Sequence, residues 1–188
     1  MPGTPVYSAQ LPGTPLGTLK VWATWDGIRR ITFRSGPDLA APGERLSSDP
    51  SPTHLALTLE RLLGYFEGTV RDFKDVPLDL GSLTDFQLQV YDHLLTIPFG
   101  EVTTYGSIAE ALGLGASGAR AVGQAVGANP VAIIVPCHRV VGSDATLHGY
   151  SGGLERKAKL LRLEGISVDG FRPSSRVHPD EPQLPLWG

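Results

Sequence analysis

The chain contains one cysteine, Cys137, in the segment Val-Pro-Cys-His-Arg-Val at residues 135–140. A thiol attacks an electrophile as the thiolate, and cationic neighbours favour that form by lowering the pKa of the thiol. The histidine and arginine that follow Cys137 therefore predict a nucleophile with a lowered pKa. Many free cysteines are instead small buried hydrophobic residues, and the residues alone leave this alternative open.

A thiol nucleophile needs a base, and His138 is the nearest candidate. Adjacent side chains of an extended segment point to opposite faces, so contact between Cys137 and His138 requires either a turn after Pro136 or a bridging water. A carboxylate that orients the imidazole completes such a relay, by the logic of catalytic triads. Among the acids that follow in the sequence we choose Glu164, at the end of the last predicted helix, for this role.

The composition of the 188 residues is that of a globular protein, with 41% hydrophobic and 19% charged residues. No apolar stretch approaches the ~20 residues that span a bilayer. The N-terminus also lacks the basic segment and apolar core of a secretory signal. Together with the free thiol, these features predict a cytoplasmic protein that does not enter a membrane.

The charge and the ligand residues exclude further kinds of site. The 16 basic and 19 acidic residues give a net charge of -3, unlike a protein that binds nucleic acid mainly by neutralising phosphates. Any nucleic-acid binding must therefore use a local surface. One cysteine can form neither an intramolecular disulfide nor a cysteine-rich zinc site, and the five histidines are not at ligand spacing. We predict no metal.

The first third of the chain is predicted to be rich in β-strand. Residues 16–25 and 28–33 have the character of strands on either side of the favoured hairpin turn Asp26-Gly27. After a polar loop, leucines recur at helical spacing from Thr53 to Phe66 and predict an amphipathic helix. We assign residues 1–75 to a small N-terminal α/β domain without recognisable chemistry.

Residues 76–170 are predicted to form a helical domain. Thr84 caps a helix with an apolar face, and Thr104 caps a second, short helix. After the turn Gly113-Leu114-Gly115, another helix covers residues 118–128. Two short helices joined by a glycine-containing turn favour a helix-turn-helix, so the whole chain is predicted to be α+β.

The helix at residues 118–128 consists almost entirely of small residues. Small residues allow another helix to pack very closely, or they allow a nucleic-acid backbone to approach the main chain. Arg120 projects from this smooth surface without a carboxylate four residues away, because Ala116 and Gln124 occupy those positions. Solubility is therefore a poor explanation of Arg120.

The apolar run at residues 131–135 predicts a strand that is buried on both faces. Pro136 cannot extend a ladder, so Cys137 is expected at the strand end, a common place for catalytic groups. A last helix at 154–164 has basic residues that predict a solvated outer face: Arg156, Lys157, Lys159 and Arg162. Residues 171–188 are polar and rich in proline, and they are predicted to be a flexible tail.

The segment around Cys137 resembles the active-site signature of the O6-alkylguanine-DNA alkyltransferases, also called methylated-DNA–protein-cysteine methyltransferases. The resemblance continues in the same order along about half of the chain. The matching segments are PLDL at 77–80, IPFGEVTTY at 97–105, RAVG at 120–123, NP at 129–130, YSGG at 150–153 and EG at 164–165. It implies that a C-terminal domain resembling a winged helix-turn-helix carries the reactive cysteine.

The resemblance also implies the roles of the catalytic residues. Cys137 accepts the alkyl group of O6-alkylguanine, and of O4-alkylthymine, in double-stranded DNA. His138 takes the thiol proton through a water, and Glu164 orients His138. Asn129 braces the turn between the recognition helix and the active site. Tyr105 promotes rotation of the target nucleotide and then donates a proton near guanine N3.

The remaining implied residues bind DNA. Arg120 fills the place of the extruded guanine, on a minor-groove helix whose small residues include Gly123. Ser143 contacts a phosphate. The residues that hold or wall the extruded base are Val140, Tyr150 and Ser151.

The implied reaction consumes the protein, because the thioether is stable and each monomer reacts once without a cofactor. A non-catalytic lesion sensor or DNA-binding regulator that uses Arg120 is one alternative, although sensors of this family replace the reactive cysteine. A cysteine hydrolase built on Cys137 and His138 is the other. The two alternatives differ from alkyl transfer in the number of products that each protein molecule forms.

A second resemblance lies in the last residues, Gln-Leu-Pro-Leu-Trp at 183–187. They resemble the short peptide by which bacterial repair proteins and polymerases bind the sliding clamp. Apolar anchors on a flexible tail suit a hydrophobic groove on a partner. The predicted anchors are Gln183, Leu184, Leu186 and Trp187. The alternative is a tail that folds back onto its own domain.

Overall fold

The computed structural model describes residues 4–33, 41, 44–47 and 51–182. The chain divides into two compact units, Met1–Gly81 and Ser82–Gly188. The first unit is built on a sheet and the second on helices, so the predicted α+β class is confirmed. The domain border that we predict at residue 75 stays a prediction.

Four strands of the N-terminal unit form one sheet in the order β3-β2-β1-β4. The strands are β1 (Thr4–Thr14), β2 (Gly17–Ala23), β3 (Ile28–Thr32) and β4 (Glu44–Leu46). β2 pairs antiparallel with both β1 and β3, whereas β4 pairs parallel with β1. The predicted hairpin is confirmed, but the pattern does not predict β1, because prolines and a glycine interrupt the alternation that marks a strand.

Two further features of this unit follow from its sequence. Helix α1 (Thr53–Phe66) has the bounds that its leucine periodicity predicts, and it buries Leu55, Leu62 and Tyr65. The turn between β2 and β3 packs so closely that a Cβ at Gly27 would lie 2.7 Å from the carbonyl oxygen of Pro77. Only glycine fits at this position.

Among the residues that the structure describes, the C-terminal unit contains four α-helices. They are α2 (Asp85–Leu95), α3 (Tyr105–Ala111), α4 (Ala119–Gly127) and α5 (Leu154–Leu163). Thr84 caps α2 in a capping box, because Gln87 N donates to Thr84 Oγ1 and Thr84 N donates to Gln87 Oε1. Thr104 caps α3 by accepting from the backbone N–H of Ser107. Within the described residues, no helix has both the length and the apolar character to span a membrane.

Two very short strands bring together two distant segments of this unit, one next to Tyr105 and the other next to Cys137. β5 (Thr103–Thr104) pairs parallel with β6 (Val140–Val141). Helix α3 begins directly after β5, and the segment that holds Cys137 ends directly before β6. The pairing therefore brings Tyr105, the first residue of α3, close to the cysteine in space.

The prediction of a strand at residues 131–135 is wrong. The run is buried as predicted, but Val135 N donates to Val131 O at 3.0 Å and Ile133 has a φ of 80°, so the chain turns. A continuous apolar run indicates burial on all sides, and a compact turn meets that condition when its polar groups are satisfied. Asn129 supplies the partners, since its side chain bonds both Val131 N and Val135 O.

The prediction that the flexible tail begins at residue 171 is also wrong. β7 (Ile166–Val168) pairs antiparallel with β8 (Val177–Pro182). Val177 is buried in one cluster with Val168, Leu147 and Leu161, and its N–H donates to Ala145 O at 2.8 Å. A single apolar anchor with edge hydrogen bonds is enough to hold this segment, although its composition is that of a disordered tail. Residues 183–188 lie outside the described residues.

Candidate active site

Cys137 occupies a turn rather than a strand end. Residues Cys137–Arg139 form one turn of 3-10 helix between Pro136 and β6. The chain therefore turns directly after Pro136. Cys137 is only 2% exposed and His138 has no exposed surface, so both side chains lie inside the C-terminal unit.

Asn129 links the sulfur to the turn that precedes it. The residue is 5% exposed, and its Nδ2 donates to Cys137 Sγ at 3.0 Å and to Val135 O at 2.8 Å. Its Oδ1 accepts from Val131 N at 3.0 Å. Three hydrogen bonds thereby fix the amide, and one of them is donated to the sulfur of Cys137.

Burial dominates the acidity of the thiol and raises the pKa of Cys137 to about 11. The hydrogen bond from Asn129 and the charge of Lys157 act in the opposite direction without outweighing burial. Our expectation of a lowered pKa is therefore wrong. It fails because the burial of the thiol outweighs every group that favours the thiolate.

His138, Glu164 and Arg139 form one buried hydrogen-bonded network. His138 Nε2 and Glu164 Oε1 are 2.8 Å apart. Arg139 binds the same carboxylate with two donors, from Nη2 to Oε1 at 2.8 Å and from Nε to Oε2 at 2.8 Å. Such two-point binding holds a carboxylate in one orientation, and the carboxylate in turn holds the imidazole.

The charges in this network are set by burial and by Arg139. Burial lowers the pKa of His138 below 6.5, despite the opposing effect of Glu164. Burial tends to raise the pKa of Glu164, but His138 and Arg139 outweigh it and hold the value at about 2. At neutral pH the site therefore contains a neutral imidazole beside an ionised carboxylate, which is the state that can accept a proton.

The turn at residues 97–100 is fastened to this network. Arg139 Nη1 donates to Ile97 O at 2.6 Å, and Gly100 N donates to Glu164 Oε2 at 3.2 Å. Gly100 has a φ of 82°, and a Cβ at this position would lie 3.2 Å from Glu164 O. The network thus also anchors the segment that leads into β5 and Tyr105.

An open cleft of about 900 Å³ lies beside α3 and α4 in the same unit. Its lining includes four residues that we predict to contact DNA or to act in catalysis. They are Tyr105, Arg120, Gly123 and Ser143. The other lining residues are Gly106, Ala119, Gln124, Gly142, Asp144 and His148. The small residues of α4 therefore face a cleft as well as the protein interior.

Three tyrosines lie near enough to the sulfur for its charge to act on them, namely Tyr91, Tyr105 and Tyr150, and the last two are predicted site residues. Burial, followed by the charge of an ionised Cys137, raises the pKa of Tyr105 to about 12. The same two causes raise the pKa of Tyr150 well above its ordinary value. Both phenols therefore keep their protons at neutral pH and are available as donors.

The other predicted contact residues have different surroundings. Val140 is fully buried in β6, and its carbonyl oxygen accepts from Lys157 Nζ. Ser151 is exposed in the turn before α5. The four predicted clamp anchors in the tail lie outside the described residues, so the geometry does not bear on them.

Comparison with known proteins identifies the family. Residues 9–80 match the family model described as 6-O-methylguanine DNA methyltransferase, ribonuclease-like domain, and residues 85–166 match the model of its DNA binding domain. A methylated-DNA–protein-cysteine methyltransferase of Haemophilus influenzae is 39% identical over 166 residues, which cover 87% of this chain and 88% of that protein. The chain belongs to the O6-methylguanine DNA methyltransferase family.

Further relatives of this O6-methylguanine DNA methyltransferase family member come from mycobacteria. The methylated-DNA–protein-cysteine methyltransferase of Mycobacterium tuberculosis is 51% identical over 115 residues, which cover 61% of this chain and 68% of that protein. A solved structure of Mycobacterium tuberculosis OGT in complex with DNA superposes with a TM-score of 0.71 at 39% identity, covering 84% of this chain and 92% of that chain.

The structure of this family member adds residues that sequence reasoning missed. Arg139 lies in the recognised motif, but only the structure shows its hold on Glu164 and Ile97. Tyr91 of α2 donates from its hydroxyl to Ala125 O in α4 at 2.9 Å. Lys157, which we expect on a solvated face, is instead fully buried. No local pattern marks these positions, because their partners come from distant segments.

Proposed function

We propose that Cys137 removes the alkyl group from O6-alkylguanine in duplex DNA and retains it as a thioether. The observation that carries the proposal is the buried network in which Arg139 and Glu164 hold a neutral His138, next in the chain to the cysteine. This arrangement prepares a base for the thiol proton, which a cysteine with a purely structural role does not need.

The family assignment gives the class of reaction. The chain is a methylated-DNA–protein-cysteine methyltransferase, and its reaction is direct-reversal repair of DNA. The acceptor residue, the extent of the substrate range and the roles of individual side chains are our proposals. We include O4-alkylthymine as a second substrate, because it presents the same alkoxy group.

Repair begins with extrusion of the damaged nucleotide, since a thiol that is 2% exposed cannot reach a base inside the duplex. The small residues of α4 admit the minor groove to the cleft, and Arg120 enters the base stack. Tyr105 crowds the phosphate of the target and favours its rotation, and Ser143 contacts a phosphate. Extrusion costs a few kcal/mol, and less for a poorly paired lesion.

The extruded base lies in a pocket beside the sulfur. Main-chain groups near Val140 bind its edge, Ser151 lies near O6 and Tyr150 forms a wall. These contacts place the alkyl carbon in line with the sulfur, where positioning alone contributes strongly to the rate.

The chemical step moves two protons and one alkyl group. The thiol proton of Cys137 passes to His138 through a water, and Glu164 stabilises the imidazolium. The thiolate attacks the alkyl carbon, a C–S bond forms and the bond from carbon to O6 breaks. Tyr105 donates a proton to guanine N3, so guanine leaves neutral. The phenolate then regains a proton, and His138 loses one, through solvent.

A prepared base is required because the resting thiol is hard to ionise. With a pKa of about 11, forming the thiolate at pH 7 costs on the order of 5 kcal/mol without assistance. A neutral His138 that gains the proton beside Glu164 offsets part of this cost.

The product is a stable thioether, so one molecule repairs one lesion without a cofactor. A monomer is sufficient, because all of the proposed catalytic residues belong to one chain. The need for a free thiol favours a reducing compartment, and we place the protein in the cytoplasm.

The proposal is tested by intact-mass and peptide mass spectrometry after incubation with O6-methylguanine duplex DNA. We expect a gain of one methylene on the peptide that holds Cys137, and one product for each protein molecule. Cys137→Ala should abolish transfer and retain binding to the lesion. Unmodified protein that still binds the lesion would support a sensor, and several products per molecule would support a hydrolase.

The role of Arg120 has a separate test. Arg120→Ala should slow transfer from duplex DNA much more than transfer from the free base O6-benzylguanine, because only the duplex requires extrusion. Gln124→Ala is the matched control, since Gln124 lines the same cleft one helical turn later. Equal losses on both substrates would contradict the insertion of Arg120.

We also propose that the last residues bind the bacterial sliding clamp. Support comes from the sequence of Gln183, Leu184, Leu186 and Trp187 alone. Purified clamp should bind the full chain, and deletion of residues 183–188 should remove binding while alkyl transfer is retained. Equal binding by both proteins would refute the clamp proposal and leave the repair reaction untouched.

A further inference from the structure

Helix α5 contains a buried cation that the proposed chemistry does not yet use. Lys157 has no exposed surface, whereas Arg156, Lys159 and Arg162 of the same helix are partly exposed. Burying an ammonium group is unfavourable unless charge or hydrogen bonds compensate it. A role that requires the charge at this place is therefore a better explanation of Lys157 than solubility.

The ammonium group joins the two ends of the chain segment that borders the cleft. Lys157 Nζ donates to Val140 O and to His148 O, both at 2.5 Å. Between these two carbonyls the chain supplies Gly142, Ser143 and Asp144 to the lining of the cleft. Lys157 thereby fixes the position of this cleft wall relative to the turn that holds the cysteine.

Lys157 has no carboxylate partner among the described residues. Within the part of the chain that the structure describes, no Asp or Glu side chain lies within ion-pair distance of Nζ. The ionisable groups that sense its charge are the thiol of Cys137 and the imidazole of His138, both on the neighbouring turn. Lys157 favours the thiolate, and the thiolate favours the charged form of Lys157.

We propose that Lys157 is a positioning residue of the alkyl-transfer reaction: it clamps the carbonyls of Val140 and His148, and it compensates the charge of the sulfur when Cys137 ionises. The inference rests on the function proposed above. It assigns to one buried side chain both the shape of the cleft wall and part of the stabilisation of the thiolate.

Loss of the Lys157 charge at high pH should slow alkyl transfer. Burial lowers the pKa of Lys157 to about 8, so the charge is present at neutral pH and is lost as the pH rises through that value. The rate of transfer from saturating duplex DNA should therefore fall above about pH 8. The pKa of His138 is lowered and that of Cys137 is raised, so neither group explains a fall in this range.

Three variants test the proposal. Lys157→Met removes the charge and both hydrogen bonds, and it should slow transfer at saturating DNA by about 30-fold or more. Lys157→Arg keeps a permanent charge, so it should transfer faster than Lys157→Met and lose the fall above pH 8. Lys159→Met is the matched control, because Lys159 pairs with Glu155 at the surface and its loss should leave the rate unchanged.

The measurement is the single-turnover rate of thioether formation, followed by mass spectrometry between about pH 6.5 and 9.5. A Lys157→Met protein that reacts within about threefold of the wild type, with the wild-type pH profile, overturns the proposal. If the variants do not fold, the wild-type profile decides: a rate that rises steadily through pH 8 overturns the role of the charge. A wild-type protein that forms no thioether at any pH refutes the repair function itself, which is a distinguishable outcome.

Discussion

At the scale of single residues, the sulfur of Cys137 is surrounded by groups that have fixed partners. Asn129 is held by two main-chain groups while it donates to Sγ. Glu164 accepts two hydrogen bonds from Arg139, and these fix the carboxylate that contacts His138. Because the partners are locked, little reorganisation is needed when the thiol ionises, and preorganisation of this kind is a major source of catalytic power.

The paired carboxylate predicts how stability depends on pH. Glu164 is ionised in the folded protein with a pKa near 2, against about 4.5 for a free carboxyl group, so it contributes about 3 kcal/mol above pH 5. This contribution is lost as the pH falls from about 4.5 towards 2. His138 acts in the same direction, because its lowered pKa makes the unfolded chain bind protons first below about 6.5.

Denaturant unfolding between about pH 3 and 7 measures this effect. The wild type should lose stability steeply on acidification. Glu164→Gln should be less stable at pH 7 by about 3 kcal/mol or more, because Arg139 is left buried without its partner, and its acid dependence should be weaker. Glu110→Gln, at an exposed position on α3, should follow the wild type. A Glu164→Gln protein with the wild-type acid dependence would contradict this account.

At the scale of elements, the sequence predicts those helix bounds and caps that depend on residues close together in the chain. The α1 bounds and the caps of α2 and α3 follow from periodicity and from side chains three residues apart. The strand β8 and the burial of Lys157 could not be predicted, because their hydrogen-bond partners belong to other segments of the chain. The turn at 131–135 could not be predicted because a continuous apolar run indicates burial without distinguishing a strand from a compact turn. The motif around Cys137 predicts the candidate site. The two hydrogen bonds from Arg139 to Glu164 are visible only in the structure, because the two residues are far apart in the sequence.

Helix α4 offers a test of why its residues are small. A Cβ at Gly123 would meet only Tyr105, at 3.7 Å, and one at Gly127 would meet nothing within 4 Å. Gly123→Val should therefore leave thermal stability unchanged or raise it, since glycine is a poor helix former by up to about 1 kcal/mol. Transfer from duplex DNA should fall at least about tenfold, because the side chain occupies the cleft.

Gly127→Val is the control for this variant, as the same change outside the cleft lining. It should leave the rate of transfer unchanged. If Gly123→Val unfolds at a markedly lower temperature than Gly127→Val, the small residue serves the packing of the protein and not the approach of DNA.

Strand β8 (Val177–Pro182) predicts that two C-terminal deletions differ in their effect on stability. Deletion of residues 171–188 removes Val177 from the cluster with Val168 and Leu147, and it should cost about 3 kcal/mol of stability. The melting temperature should then fall by about 6–12 °C. Deletion of residues 183–188 alone should leave it unchanged, and equal melting temperatures for both deletions would show that β8 contributes nothing.

At the scale of the whole molecule, the charge does not favour strong attraction to DNA. The residues from Ser82 onward include eight Lys and Arg against ten Asp and Glu, a net charge of -2 for the unit that carries the cleft. The charged residues that line the cleft are Arg120 and Asp144, with His148 beside them. We therefore expect affinity to come mainly from shape, from the proposed insertion of Arg120 and from close main-chain approach, rather than from phosphate neutralisation.

This balance predicts a shallow dependence of DNA binding on salt. Each neutralised phosphate contributes about 0.9 to the slope of log affinity against log salt concentration, so we expect a slope no steeper than about -3. Arg120→Gln should weaken binding while changing the slope by well under 1, because an arginine inserted in the base stack releases few counterions. Fluorescence anisotropy with a labelled duplex over a range of NaCl concentrations measures both quantities. A steeper wild-type slope, or a drop of a full unit in the variant, would place Arg120 on a phosphate and make electrostatics the main source of affinity.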